Sequence, residues 1–313
     1  NDEMFRDDLM KSVGNDFEIK DLGQVKHYLG IEVERTKDGE FLISQTAFID
    51  KIVKEAGLEE AKVQKNPIDL GYFKLDGALL KSNEEYRTLI GMLLYLSTNT
   101  RPDIAASVSI LSQKVTKPRD VDLTQVKRLI RYIKGTRGRK LRLNAKGKSG
   151  SLHIYSDANW AEDPTDRKSN SGFVCMFNGG TISWSCRKQN VVALSSTEAE
   201  YIALTETCKE VIWLKEVSKC FDIDERVFRK VKIYTDNQSS MAIVKNENFS
   251  NRTKHIAARY HFIRNMVTEG KIYLEYVPTE TNVADLLTKP LGPARIEALR
   301  KLAGMIDSKE LQN

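Results

Sequence analysis

Leu152-His153-Ile154-Tyr155-Ser156-Asp157-Ala158-Asn159-Trp160 reads as a strand whose apolar run ends on an acidic side chain. A strand presents its last side chain beyond the hydrogen-bonded layer, in the crevice where open α/β sheets bind ligands. Val231-Lys232-Ile233-Tyr234-Thr235 ends in the same way on Asp236. Two such neighbouring strands set two carboxylates side by side. Outward from this pair, residues 172–177 and 181–185 are strand candidates joined by Asn178-Gly179-Gly180, a tight-hairpin signal. A long helical pattern runs from about Thr197 to Lys219, and residues 272–277 form a fifth strand. A short helix over 239–245, a basic, aromatic helix over 254–268 and a mostly helical stretch over 282–304 complete the half. The fold class expected is α/β, a mixed five-stranded sheet with helices on its faces.

Two more acidic residues belong to this pattern. Ser195-Ser196-Thr197-Glu198 fits a capping box, with Ser195 as N-cap, and that gives Glu198 a structural role. Glu200 instead shares a helix face with Ala203, Leu204, Thr207 and Val211, and so points toward the sheet. Asp285 stands in Asn282-Val283-Ala284-Asp285-Leu286-Leu287, just after the fifth strand. Carboxylates gathered from strand ends and helices are what a two-metal phosphodiester-cleaving site requires.

The N-terminal half reads differently. A helix over 2–15 is followed by a strand over 28–35, an Asp38-Gly39 turn and a return strand over 41–45. A helix over 46–56 and an irregular connection over 60–80 come next. Three helices follow, the first capped by Asn83, the others over 103–115 and 122–134. The last carries Lys127, Arg128, Arg131 and Lys134, and the basic run continues through Arg137, Arg139, Lys140 and Arg142. Lys146-Gly147-Lys148-Ser149-Gly150 is the best domain boundary.

Bulk properties set limits. A net charge of +6 on 313 residues is a mild basic bias that suits nucleic acid without requiring it. The four cysteines make no C-x-x-C pair, which argues for free thiols rather than a zinc or disulfide framework. No apolar run reaches membrane-spanning length, so no membrane partner is expected. The chain starts at Asn1 rather than Met, as a piece of a longer product would.

Residues 150–292 resemble the ribonuclease H domain of a copia-type (Ty1/copia) LTR retrotransposon Pol polyprotein. The motifs that carry the resemblance include Ser156-Asp157-Ala158-Asn159-Trp160-Ala161 and Asp166-Arg167-Lys168-Ser169-Asn170-Ser171-Gly172. Ile182-Ser183-Trp184, Ala193-Leu194-Ser195-Ser196-Thr197-Glu198-Ala199-Glu200-Tyr201 and Ala284-Asp285-Leu286-Leu287-Thr288-Lys289-Pro290-Leu291 follow in order. Lys20-Asp21-Leu22-Gly23 and Tyr28-Leu29-Gly30-Ile31-Glu32-Val33 resemble the end of a reverse transcriptase palm. Tyr86-Arg87-Thr88-Leu89-Ile90-Gly91, Asn99-Thr100-Arg101-Pro102-Asp103-Ile104 and Arg131-Tyr132-Ile133-Lys134-Gly135-Thr136 resemble the thumb and connection.

The resemblance implies three regions: 1–60, the C-terminal remnant of the palm; 61–148, a helical thumb/connection; and 149–313, a ribonuclease H domain with a C-terminal helix. It implies an endonuclease that hydrolyses the RNA strand of RNA–DNA hybrids during reverse transcription, with two Mg²⁺ ions, replaceable by Mn²⁺, about 4 Å apart. Asp157 would bridge both ions, Glu200 and Asp236 would hold the leaving-group side, and Asp285 the water-activating side. Hard oxygen ligands suit these ions.

Asn237, Gln238, Arg252, Lys254, His255 and Arg259 are expected to contact the hybrid, and Lys127, Arg128, Arg131 and Lys134 the duplex upstream. Implied partners are the hybrid and the rest of the Pol polyprotein, reverse transcriptase fingers and palm and integrase, in a cytoplasmic virus-like particle or the nucleus.

Three departures matter. No Tyr-x-Asp-Asp hairpin is present, so polymerase activity is not expected; Asp7-Asp8 reads as a solvated first turn. Ala257 stands where the family usually has Asp. The loop Val277-Pro278-Thr279-Glu280-Thr281 carries no His, unlike that of many cellular ribonucleases H. The alternative is an inactive or domesticated remnant that only binds nucleic acid. An integrase-type nuclease fails on the order of its acidic residues. Trp160 and Trp184 are expected in the core.

Overall fold

A computed structural model describes residues 3–143, 151–221, 223, 225–245 and 257–307. The boundary expected at 146–150 lies outside the described residues. Among the described residues ten strands form two five-stranded sheets. The second sheet has the order β7-β6-β5-β8-β9, made of β5 (Leu152–Ala158), β6 (Asn170–Phe177), β7 (Gly180–Lys188), β8 (Val231–Thr235) and β9 (Ile272–Tyr276). β5, β6 and β7 are antiparallel, while β8 and β9 run parallel to β5. The chemistry of the connections explains this. Asn178 (φ 51°) and Gly179 (φ 84°) take the left-handed backbone of a tight hairpin turn. The β7-to-β8 passage instead carries α6 (Ser196–Ser218), long enough for a crossover. The mixed sheet read from the sequence is therefore the one observed.

Side chains alternate across this sheet with period two. Ile154, Phe173 and Cys175 pack on one face with Leu204 and Cys208 of α6 and Ile263 of α8 (Ala257–Thr268). Val174 and Met176 pack on the other face, in one cluster with Leu93, Leu129 and Ile133 from the N-terminal half. Leu286, Leu287 and Leu299 from the C-terminal segment join that cluster. β6 is accordingly buried on both faces over nearly its whole length.

The N-terminal half contributes α1 (Glu3–Gly14), α2 (Thr46–Glu55), α3 (Glu84–Asn99), α4 (Ala105–Ser112) and α5 (Asp120–Gly135). Asn83 does precede α3, but its side chain donates to the Val115 carbonyl (3.0 Å) and makes no cap bond. The expected strand over 28–35 is two strands, β1 (His27–Tyr28) and β2 (Ile31–Arg35), broken by the left-handed Leu29 and Gly30. β1 pairs with β2, and β2 with β3 (Phe41–Ser44), in the first sheet, whose order is β1-β2-β3-β4-β10 with β4 at Arg139–Leu143 and β10 at Met305–Asp307.

β4 (Arg139–Leu143) and β10 (Met305–Asp307) were not foreseen. The basic run hides β4 because only Leu141 is fully buried there, while the cations meet acids: Lys140 with Glu34 at 2.6 Å and Arg139 with Glu297 at 3.1 Å. Glu297 belongs to α9 (Pro293–Leu302). Through β10 and α9 the end of the chain returns to the first sheet, and the two halves interlock.

Candidate active site

Asp157 occupies the C-terminal part of β5, Glu200 the second turn of α6, and Asp236 the first position after β8. One carboxylate oxygen from each lies within 4.8 Å of the others, the one such group of acidic, His or Cys side chains among the described residues. Local chemistry accounts for each placement. Ser195 caps α6, its hydroxyl accepting from the Glu198 amide at 3.1 Å. The Glu198 carboxylate reaches back to the Leu194 amide at 2.7 Å. That box consumes Glu198 and leaves Glu200 one half-turn later facing the sheet. Thr207 then hydrogen-bonds with Ser156 Oγ at 3.0 Å, which fixes α6 against the strand that carries Asp157.

Asp285 arrives on a 3-10 turn, Val283–Leu287. Asn282 is wholly buried at its start. Its Oδ1 accepts from the Ala284 amide (3.2 Å) and its Nδ2 donates to the Ser156 carbonyl (3.2 Å). Gly172 pairs with Asp157 across the β5–β6 ladder and makes room for the turn. A Cβ there would stand 2.8 Å from both Leu287 Cβ and Thr288 Cγ2. Neither Asn282 nor Gly172 was foreseen in this role, although both stand within the quoted motifs.

The structure brings three of the four acidic residues into one group and sets Asp285 beside Asp157 under cationic cover. Lys289 Nζ lies 2.7 Å from Asp285 Oδ1 and 3.6 Å from Asp157 Oδ2. Arg295 Nη2 lies 2.8 Å from Asp285 Oδ2. The Thr288 hydroxyl donates to Asp157, and the Thr279 hydroxyl donates to Asp236 at 2.6 Å. The sequence signal for Lys289 was its i,i+4 spacing from Asp285, with Thr288 between them.

Electrostatics show an excess of negative charge. Burial pushes the Asp157 carboxyl up to about 7; Lys289 opposes this, while Asp285 and Asp236 add to it. Burial, with Asp157 and Asp236 close by, holds Glu200 well above the usual carboxylate range. Lys289 is held above the ordinary lysine value, because its two carboxylate neighbours outweigh its burial. Glu200 is 6% exposed and its Oε2 has no hydrogen-bond partner. A buried, unpartnered carboxylate oxygen facing two other carboxylates fits a hard divalent cation.

The residues expected to touch nucleic acid divide into three sets. Asn237 Oδ1 accepts from the Ser240 amide at 2.8 Å, capping α7 (Gln238–Lys245), and Gln238 is exposed beside Asp236. Arg259 is half-buried on α8, and Arg252, Lys254 and His255 lie outside the described residues. The α5 cations have internal partners. Lys127 pairs with Glu85 (3.1 Å), Arg128 with Asn66 (2.6 Å), and Arg131 with the Lys62 carbonyl (2.5 Å). Lys134 donates to the Leu58, Glu59 and Ala61 carbonyls. Arg128, Arg131 and Lys134 fasten the 58–69 connection to α5, and Lys127 ties α5 to α3.

Trp184 packs against the core as expected, whereas Trp160 is 53% exposed, its indole N–H turned to the Ala193 carbonyl at 3.1 Å. That bond satisfies the polar edge of Trp160 without covering its face.

Residues 1–70 match the family model described as reverse transcriptase (RNA-dependent DNA polymerase). The chain is 36% identical over 308 residues to the retrovirus-related Pol polyprotein from transposon TNT 1-94 of Nicotiana tabacum, covering 95% of this chain and 22% of that protein. It is 37% identical over 296 residues to the Pol polyprotein from transposon RE1 of Arabidopsis thaliana, covering 93% of this chain and 20% of that one. The chain thus spans about a fifth of the length of these relatives. Among solved structures, it is similar to an LC11-RNase H1 in complex with RNA/DNA hybrid, 19% identical with a TM-score of 0.31, over 44% of this chain and 94% of that one. With the reverse transcriptase match at one end and Pol relatives aligned along almost its whole length, the chain belongs to the copia-type retrotransposon Pol polyproteins.

Proposed function

We propose that this chain carries a two-metal-ion ribonuclease H activity, hydrolysing the RNA strand of RNA–DNA hybrids in retrotransposon reverse transcription. One observation carries the reading: Asp157, Glu200 and Asp236 converge from two strand ends and a helix, with Asp285 beside them. Asp157, Glu200 and Asp236 would hold one divalent ion, and Asp157 with Asp285 a second. Such ions supply charge neutralisation at the phosphate and an activated water.

The chain's own residues do the rest. Thr279 and Thr288 orient the Asp236 and Asp157 carboxylates by donating to one oxygen of each. Asn282 holds the Asp285 turn to β5. Gln238, exposed one residue beyond the cap, would meet the minor groove of a hybrid, where the 2′-hydroxyl distinguishes RNA from DNA. Arg259, with Arg252, Lys254 and His255, would track its phosphates.

In this reading residues 1–60 act as the end of a reverse transcriptase palm, 61–148 as thumb and connection, and 149–313 as the nuclease. The partners are the hybrid and the remainder of Pol, in a cytoplasmic particle or the nucleus. Incubation of the purified chain with a labelled hybrid and Mg²⁺ or Mn²⁺, beside an Asp157→Asn control, tests it. RNA-strand cleavage lost in the control supports the nuclease. Binding without cleavage under either metal would leave a nucleic-acid-binding remnant instead.

A further inference from the structure

The two sides of the acidic cluster are not equivalent. On the Asp285 side both carboxylate oxygens already face cations, Lys289 at 2.7 Å and Arg295 at 2.8 Å. On the Glu200 and Asp236 side no ammonium or guanidinium stands within ion-pair distance among the described residues; Glu200 Oε2 and Asp285 Oδ1 alike make no hydrogen bond, but Asp285 Oδ1 has an ammonium beside it. The two cations also differ from each other. Arg295 is anchored, because its guanidinium also donates to the Thr279 and Glu280 carbonyls. Lys289 has its contacts with the Asp157 and Asp285 carboxylates, and its side chain is 31% exposed. Lysine is a compact point charge on a flexible stem, so it can leave such a position by rotating its side chain.

We infer that the Lys289 ammonium fills the second cation place of this site, between Asp157 and Asp285, and that divalent ions therefore bind unequally. The place among Asp157, Glu200 and Asp236 is open to an ion. The place beside Asp285 is open only as Lys289 withdraws. This rests on the metal-site reading above and specifies the order in which the site is loaded. A hybrid phosphate next to the site would give the displaced ammonium a new anionic partner, so nucleic acid favours occupation of the second place.

The test is Mn²⁺ binding to the full chain without nucleic acid, followed by calorimetry and by the loss of the free-ion EPR signal. Lys289→Met, Lys289→Arg and Asp157→Asn are measured beside the parent, with circular dichroism as the folding check. The parent should take one ion tightly and a second more weakly by about tenfold or more, the scale of removing or keeping one charge a few ångströms away. Lys289→Met should bring the second ion to within a few-fold of the first, and Lys289→Arg should keep the inequality. If the methionine variant does not fold, Lys289→Gln carries the same expectation.

Two equal sites in the parent, or an inequality unchanged on removing the lysine charge, overturns the inference while leaving the metal site standing. Mn²⁺ binding that Asp157→Asn does not weaken, or none in the parent, overturns the metal-site reading and the inference with it.

Discussion

The indole N–H of Trp184 donates to the carbonyl of Ser97 at 2.8 Å, joining β7 of the second sheet to α3 of the N-terminal half. Around this bond runs an apolar cluster that includes Leu93 and Leu129 from one half and Val174, Leu287 and Leu299 from the other. Each half alone would expose that surface to water, at a cost of about 25 cal/mol per Å² of apolar area. The full chain should therefore unfold in one cooperative transition. Calorimetry and near-ultraviolet circular dichroism should give coincident midpoints, and two resolved transitions would show that the halves unfold separately. Trp184→Ala should lower the single midpoint, at a cost of about 3–5 kcal/mol for truncating a packed aromatic.

A second link is ionic and buried. Arg101 and Asp103 are 1% and 2% exposed, and the guanidinium meets both carboxylate oxygens at 2.8 Å. The Tyr132 hydroxyl donates to Asp103 at 2.6 Å and accepts from Arg300 of α9 at 2.8 Å. Burial alone would raise the Asp103 pKa, but Arg101, with Arg300 and Tyr132, outweighs it and holds the carboxyl below its ordinary range. A carboxylate with a depressed folded pKa contributes stability that is present above its unfolded value, about 3.9, and lost as pH falls through the folded one. Asp103→Asn should cost about 3–5 kcal/mol at neutral pH, because Arg101 remains buried without its charge partner. It should also flatten the loss of stability below about pH 4, where that carboxylate no longer titrates. Urea unfolding between pH 7 and pH 3 checks both; a variant with the parent's acid limb would refute the assignment.

Gly172 sets the distance between β6 and the Asp285 turn. The missing Cβ leaves 2.8 Å gaps to Leu287 Cβ and Thr288 Cγ2, and the nearby Ala284 carbonyl is backbone that cannot rotate away. Gly172→Ala should overpack the contact, costing about 1–3 kcal/mol. Because Thr288 also orients Asp157, hybrid cleavage should fall more than the shift in melting temperature explains. Equal cleavage per folded molecule in the variant and the parent would show that the turn does not position the site.

Much of the second sheet was legible because each strand there obeys a simple rule. The apolar runs of β5 and β8 lead to an acid, Asn178-Gly179 marks the hairpin, and the Ser195 box marks the start of α6. The rest was hidden for physical reasons. In β4 the run of cations masks the strand, because Lys140 and Arg139 are paired with Glu34 and Glu297, partners distant in sequence. β10 is three residues long, too short for a period to show. Of the α5 cations, Arg131 and Lys134 donate to backbone carbonyls of the 58–69 connection, and no sequence pattern marks a carbonyl as the partner of a lysine. The four acids could be found one by one, but the cover that Lys289 and Arg295 give Asp285 depends on how the final turn folds back.

The acidic cluster should act against stability until cations neutralise it. Burial and like charge hold both Asp157 and Glu200 above the ordinary carboxylate range, so their ionised forms are disfavoured in the folded chain. Replacing either by its neutral amide removes that repulsion, and Glu200→Gln also substitutes an uncharged group at the unpartnered Oε2. Asp157→Asn and Glu200→Gln should each raise stability by about 0.5–2 kcal/mol in a chelator, as removal of strained site residues commonly does. The parent should recover the difference on adding Mg²⁺ or Mn²⁺, since an ion that binds the folded form stabilises it by mass action. Neither variant should gain as much. Melting temperatures across a metal titration measure this; variants that are less stable than the parent in chelator and respond to metal as it does would show that these carboxylates are ordinary structural acids.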